Sequence, residues 1–329
     1  MDNIFYSRMK YCLFLLLLLF SVVSLRAQDS PRWSVAFWNV ENFFDTKDDT
    51  LKADEAFTPQ GDNHWTSKRY ADKRDKIYKV VAAMGWPAVM GMAEVENDWV
   101  LKDLCYFTPL RKFKYEFVHF DSPDERGIDC ALIYRSDLFK VTEARPIGVS
   151  DSAEAFFTRD ILMVGGVLTD KQGTDTCFFF VNHWPSKLGG AVADRHRIEI
   201  GQRLMAIMDS VQQAHTGALV LAMGDFNASL EEESVRKGLG FDGVSTNDQG
   251  FCNLMFQIPK GSGSYKYHDT WSCIDQMIAN RDLEVEIFAR DYLLTDDPKY
   301  LGKKLNRTYV GLHYQGGFSD HLPLITHIP

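Results

Sequence analysis

Several apolar stretches of this sequence stop on a side chain that can do chemistry. Asn39 ends "WSVAFWNV", Glu94 ends "VMGMAEV", and His183 ends "CFFFVNHW". Asp225 and Asn227 end "ALVLAMGDFN", Asp275 lies within "WSCIDQMIA", and Asp320 and His321 stand side by side before the last apolar run. A single residue of this kind ordinarily caps a turn. A whole set is different, because the ends of packed strands gather on one rim. Glu94 and Asp320 are hard oxygen donors and Asn39 a neutral one. So few carboxylates suit magnesium, manganese or calcium better than zinc. His183 and Asn227 have hydrogen bonds to give to phosphoryl oxygens. His321 accepts a proton from water if a carboxylate holds its ring, with Asp275 as the candidate holder and Asp225 as the group that orients the water. The sum is metal-assisted hydrolysis of a phosphate ester, with cation and donors stabilising charge on the phosphoryl oxygens.

Such residues need strands to position them. Residues 33–40 are apolar on both faces, as a strand buried on both sides requires. Strand patterns recur at about 87–95, 114–120, 128–135, 159–168, 177–183, 218–223, 272–279, 283–289 and 322–327. Helical spacing is clear in two places. Tyr70, Ile77, Val80, Val81 and Met84 form one stripe that stops at Gly85, and a second helix covers about 191–213. Helices do not follow every strand, which disfavours a simple doubly wound parallel sheet. Two packed sheets with helices outside fit better. No repeat or composition break divides residues 28–329, so one domain is expected there.

The 329 residues are 45% hydrophobic and 25% charged, which fits a globular chain and not a disordered one. Arg8 and Lys10 precede "YCLFLLLLLFSVVS", and Ala27 offers a small residue for cleavage, so residues 1–27 read as a secretory signal. That apolar run is short for a membrane span, which takes roughly 20 residues. The expectation is an exported, periplasmic or extracellular protein that does not cross a membrane. Losing Arg8, Lys10, Arg26 and Asp2 takes the formal net charge from −9 to −11, which weakens any case for broad gripping of nucleic acid. Cys105, Cys130, Cys177, Cys252 and Cys273 then remain, and an odd number leaves at least one unpaired.

"WNVENFFD", "AEVEN", "NHWPSK", "MGDFN", "CIDQM" and "GFSDHLP" resemble, in order, the motifs of the endonuclease/exonuclease/phosphatase superfamily. The likeness runs from residue 33 to residue 327, and longer strings such as "FTPQGDNHW" and "RGIDCALIYR" are similar to secreted members from Bacteroidetes-type bacteria. The resemblance implies a four-layered α/β sandwich of the pancreatic-DNase type, two mixed sheets inside and helices outside. It implies a metal-binding Glu94, although Ala93 stands where the family usually has Gln. It also implies a first-strand Asn39 near metal and phosphate, a phosphate-side His183, and the Asp225/Asn227 pair. The last motifs imply an orienting Asp275, a catalytic His321, and Asp320 beside it at the metal or the water. Arg159 in "FFTRDIL" resembles a phosphate-contacting arginine, and Asp129 is a candidate to orient His183.

The expected enzyme is a divalent-metal phosphoesterase, Mg²⁺ or else Mn²⁺ or Ca²⁺, acting on a phosphodiester such as nucleic acid or a smaller ester, with no stable protein partner implied. A phosphatase or a lipid or inositol-phosphate phosphodiesterase on the same scaffold is the alternative. Lys260, Tyr265, Lys266, Tyr267 and His268 lean towards a phosphate-rich ligand. A non-catalytic binding module would have lost site residues, and only Ala93 departs from the pattern. "GLGFDG" at 238–243 lacks the preceding strand and following helix of a dinucleotide loop.

Overall fold

The structure, a computed structural model, describes residues 32–329; the signal-peptide reading of residues 1–27 lies outside the described residues. Strands β1 (Trp33–Phe43), β2 (Val89–Val95), β3 (Tyr115–His119) and β4 (Asp129–Arg135) belong to the first sheet. Strands β5 (Phe139–Ile147), β6 (Ile161–Thr169), β7 (Thr174–His183), β8 (Leu219–Asp225) and β9 (Cys252–Asn253) belong to the second. A hairpin follows, β10 (Tyr265–Tyr267) and β11 (Thr270–Ser272), then β12 (Asp275–Ala279) of the second sheet and β13 (Val285–Ile287) of the first. Two small ribbons, β14 (Leu294–Asp296) with β15 (Lys303–Leu305) and β16 (Tyr309–Val310) with β17 (His313–Tyr314), precede β18 (Leu324–Ile328). The sheets run β13-β18-β1-β2-β4-β3 and β5-β6-β7-β8-β12-β9.

The three long helices are α1 (Ser67–Ala83), α2 (Asp98–Phe107) and α3 (Gly190–Ala214). Alternation along each strand decides the layers, since successive side chains point to opposite faces. Val35 and Phe37 of β1 enter the core between the sheets with Val181 of β7 and Met223 of β8. Ala36, Trp38 and Val40 face the other way, onto Ile77, Val80 and Val81 of α1 and Leu101 and Leu104 of α2. Phe178 and Phe180 of β7 likewise meet Leu204, Met205 and Met208 of α3. Helix, sheet, sheet and helix make the four expected layers. The sheets approach closely at Gly91, where an added Cβ would meet Met223 Sδ at 3.0 Å and Val181 Cγ2 at 3.1 Å.

The predicted stripe of α1 is buried, and Lys73 is buried with it, its Nζ donating to Thr308 Oγ1 at 2.7 Å and Phe318 O at 2.6 Å. All five cysteines among the described residues are unpaired thiols. No helix among the described residues is long and apolar enough to cross a membrane.

Candidate active site

Direction of chain explains why the polar ends meet. β1 and β2 are parallel, as are β7 and β8, so Asn39, Glu94, His183 and Asp225 arrive at one rim. β12 runs antiparallel to β8 and β18 antiparallel to β1, so both begin at that rim. Asp275 pairs in register with Asp225, and His321 precedes β18.

Irregular backbone does the final aiming. The pairing of β1 with β2 shifts register between Asn39 and Phe43, and that of β2 with β4 shifts between Ala93 and Val95. At these bulges Glu41, Asn42 and Glu94 adopt left-handed conformations with φ of 54°, 57° and 63°; Asn227 does so at 48°. Bulges next to active sites commonly re-aim a side chain in this way. His321 is pinned through its backbone: Trp38 Nε1 donates to its carbonyl at 2.9 Å, and its N–H donates to Ser319 Oγ at 3.1 Å. Ser319 Oγ in turn donates to Asn39 O at 2.7 Å.

His321 Nδ1 lies 2.9 Å from Asp275 Oδ2, and Ser264 Oγ donates to that same carboxylate. His321 Nε2 is left facing Asp225 Oδ2 at 3.7 Å. His183 Nε2 is also 3.7 Å from Asp225 Oδ2, and 4.0 Å from Glu94 Oε1. Burial works against charge on His321, but the Asp275 and Asp225 carboxylates outweigh it and hold the imidazole well above the ordinary histidine range. His183 goes the other way: burial, with Arg159 and Arg126 adding to it, keeps its ring neutral. Burial pushes Asp225 up to about 7; Asp275 adds to the rise and His321 opposes it. Their surroundings thus push the two imidazoles of one rim in opposite directions.

Two of the three expected metal ligands make other contacts. Asn39 Oδ1 accepts the Glu41 N–H at 3.0 Å, so its NH2 turns to Asp225 Oδ2 at 3.0 Å and Glu94 Oε1 at 3.3 Å. It ties the two carboxylates together as a donor. Asp320 pairs with Arg307, 2.8 Å from its guanidinium. Glu94 keeps its place, Oε2 accepting the Asn42 N–H at 2.8 Å. Asn227 donates from Nδ2 to Trp184 O at 3.0 Å. Arg159 donates to that carbonyl at 2.7 Å and pairs with Asp124 at 2.9 Å, so its guanidinium is committed to the protein. Asp129 stands 3.5 Å from His119 rather than holding His183, whose Nδ1 is buried without a partner.

Glu41 was missed in the sequence. It is buried, accepts the N–H groups of Thr308 and Tyr309, and lies 3.4 Å from Arg307. Burial, then Asp320, raises its carboxyl. The available signal was an acid inside an otherwise apolar strand run. Tyr265 was singled out only as part of a loop; its ring lies 5.0 Å from that of His321.

Glu94 and Asp225, joined through the Asn39 amide, are carboxylate oxygen donors of the kind a hard divalent cation takes. Asp225, Asp275 and His321 lie together beside them, with ligand-type atoms within 4.8 Å of one another.

The model of a family described as the endonuclease/exonuclease/phosphatase family matches residues 34–329. No curated protein matches the chain significantly. Among solved structures, an endonuclease/exonuclease/phosphatase family protein from Bacteroides thetaiotaomicron superposes with a TM-score of 0.58 at 15% identity, covering 89% of this chain and 93% of that one. A mannosyl-6-phosphatase from the same species gives 0.58 at 16%, covering 90% and 98%. D. rerio TDP2 complexed with a single-strand DNA product gives 0.55 at 16%, covering 91% and 98%.

Proposed function

The chain belongs to the endonuclease/exonuclease/phosphatase family of metal-dependent phosphoric ester hydrolases, and from that premise we propose an exported phosphodiesterase with His321 as proton acceptor and Mg²⁺ as its cation. Residues 1–27 would be its leader and 28–329 its catalytic domain. The observation that carries the reading is the Asp275–His321–Asp225 chain of contacts at the rim. Asp275 fixes the ring at Nδ1, which leaves Nε2 to take a proton. Asp225 faces that same nitrogen and would orient the water whose proton moves. Glu94 is the residue that would hold the cation, which when bound supplies positive charge to the phosphoryl oxygens. Neutral His183 and Asn227 complete the phosphate side as hydrogen-bond donors. Asn39 keeps Glu94 and Asp225 in place, and Asp320 acts through Arg307.

A second reading, a phosphatase or a phosphodiesterase of small esters, is favoured by charge. A cavity of about 340 Å³ that opens two residues beyond Glu94 is lined by seven carboxylates, Asp45 and Glu96 among them, against two lysines, Lys47 and Lys52, a poor bed for a long polyanion.

The test is a panel of DNA, RNA, diesters and monoesters, run with Mg²⁺, with Mn²⁺ and with chelator, beside a His321→Ala control. Cleavage of a diester that needs both metal and His321 is the expected result. Activity confined to monoesters selects the second reading, and full activity in the control removes His321 from the mechanism.

A further inference from the structure

A second imidazole–carboxylate cluster sits where β3 hands over to β4. His119 ends β3, Asp129 starts β4, and Asp121 lies on the loop between. Only 2% of the His119 side chain is exposed. Its Nδ1 lies 3.1 Å from Asp98 Oδ1, on the first turn of α2. Its Nε2 makes no hydrogen bond and faces Asp129 Oδ2 at 3.5 Å. An oxygen of exposed Asp121 completes a group of three ligand-type atoms within 4.8 Å of one another. Asp129 Oδ1 is occupied by the Ser122 N–H at 3.1 Å, which leaves Oδ2 for the cluster. A buried ring nitrogen that faces a carboxylate at 3.5 Å without closing a hydrogen bond to it leaves room for a shared ion between the two.

We propose that His119, Asp121 and Asp129 bind a divalent transition cation of the Mn²⁺ or Zn²⁺ kind, at a site separate from Glu94 and His321. One imidazole with two carboxylates suits that class, whereas Mg²⁺ and Ca²⁺ favour oxygen ligands alone. Asp98 supplies the outer carboxylate that commonly orients a metal-binding histidine and fixes its tautomer. Asp121, at the surface, gives the ion a way in. The adjoining acidic cavity shares Asp121 and Asp129 with the cluster, and its field gathers cations. Lys52, on the same wall, spends its Nζ on the carbonyls of Ser122 and Asp124. Glu96, on the same cavity wall, is pushed up to about 8 chiefly by burial, with the Asp45 and Asp54 charges adding. The bound ion would join the end of β3, the start of β4 and, through Asp98, the start of α2. The enclosed loop also sends Arg126 to Asn42 and Asp124 to Arg159, so occupancy would brace the approach to Glu94.

The competing state is a protonated His119 bridging Asp98 and Asp129, and ion counting separates the two. Purified protein stripped with chelator is titrated with MnCl2 by electron paramagnetic resonance and with ZnCl2 by calorimetry. Wild type is expected to bind one more equivalent than Asp121→Asn or His119→Gln. Asp98→Asn should weaken that equivalent roughly 10- to 100-fold. Glu94→Gln should retain it, and with it a rise in melting temperature on adding Mn²⁺. Asp121 is exposed, so its variant decides the matter even if His119→Gln fails to fold. Wild-type stoichiometry and affinity in folded Asp121→Asn would overturn the proposal, as would loss of every bound ion in Glu94→Gln.

Discussion

His321 and His119 are each fastened at Nδ1 by an aspartate and each face a second carboxylate through Nε2, yet their surroundings differ throughout. The His321 cluster is enclosed: His321, Asp275 and Asp225 are all buried, and the backbone of His321 is tied to β1. The His119 cluster is half open, with Asp121 on the surface and an acidic cavity beside it. Enclosure holds a ring in one orientation and strengthens the pull of its carboxylates, as proton transfer needs. An open side lets an ion enter and leave. The same two residue types thus serve different chemistry according to what water reaches.

The largest expected effect tests that division directly. His321→Ala should lower kcat/KM by about 10²- to 10⁴-fold while leaving Mn²⁺ stoichiometry intact. The contrast breaks if His119→Gln costs turnover as much. Next comes pH. His321 is held above the ordinary histidine value of 6.5, so it keeps its proton through that range and can accept one only above it. kcat/KM should therefore climb with pH beyond about 6.5. Asp275→Asn removes the leading attraction, so the climb should move to lower pH while its ceiling falls by about 10²-fold. A profile that falls over this range would make His321 a proton donor instead.

Smaller effects probe the supports. Gly91→Val would press on Met223 and Val181 under the enclosed cluster and should cost about 1–3 kcal/mol by chemical denaturation. Asn97→Ala removes the cap that accepts the Trp99 and Val100 N–H groups at the start of α2. It should cost about 1 kcal/mol. Because Asp98 follows that cap, the variant should also loosen Mn²⁺ at the open cluster and leave His321 chemistry alone, measured by paired titration and kinetics.

What could be read in the sequence follows the reach of each interaction. Strand ends and the α1 stripe are local patterns, and Asn39, Glu94, His183, Asp225, Asp275 and His321 do gather at one rim. Helix α2 escaped notice because it is short, though Asn97 ahead of Val100, Leu101 and Leu104 marks it. Strand β5 escaped because it is an edge: Lys140, Glu143, Arg145 and Pro146 break its apolar signal. Contacts between distant residues left no local trace. Arg307 reaches Glu41 across 266 positions, and Asp124 claims Arg159. The amide of Asn39 is turned by the Glu41 N–H, a consequence of a bulge that no spacing rule predicts.

The left-handed backbone of Glu41, Asn42, Glu94 and Asn227 bears on how this protein can be improved. Strained non-glycine residues of this kind cost about 1–3 kcal/mol each. Glycine at position 94 or 227 would relieve that cost while deleting a side chain the rim depends on. A directed-evolution campaign scored on heat tolerance alone would therefore reward the loss of the site. Selection here has to be scored on turnover and melting together, with stabilising changes sought away from the four residues whose discomfort keeps the carboxylates aimed.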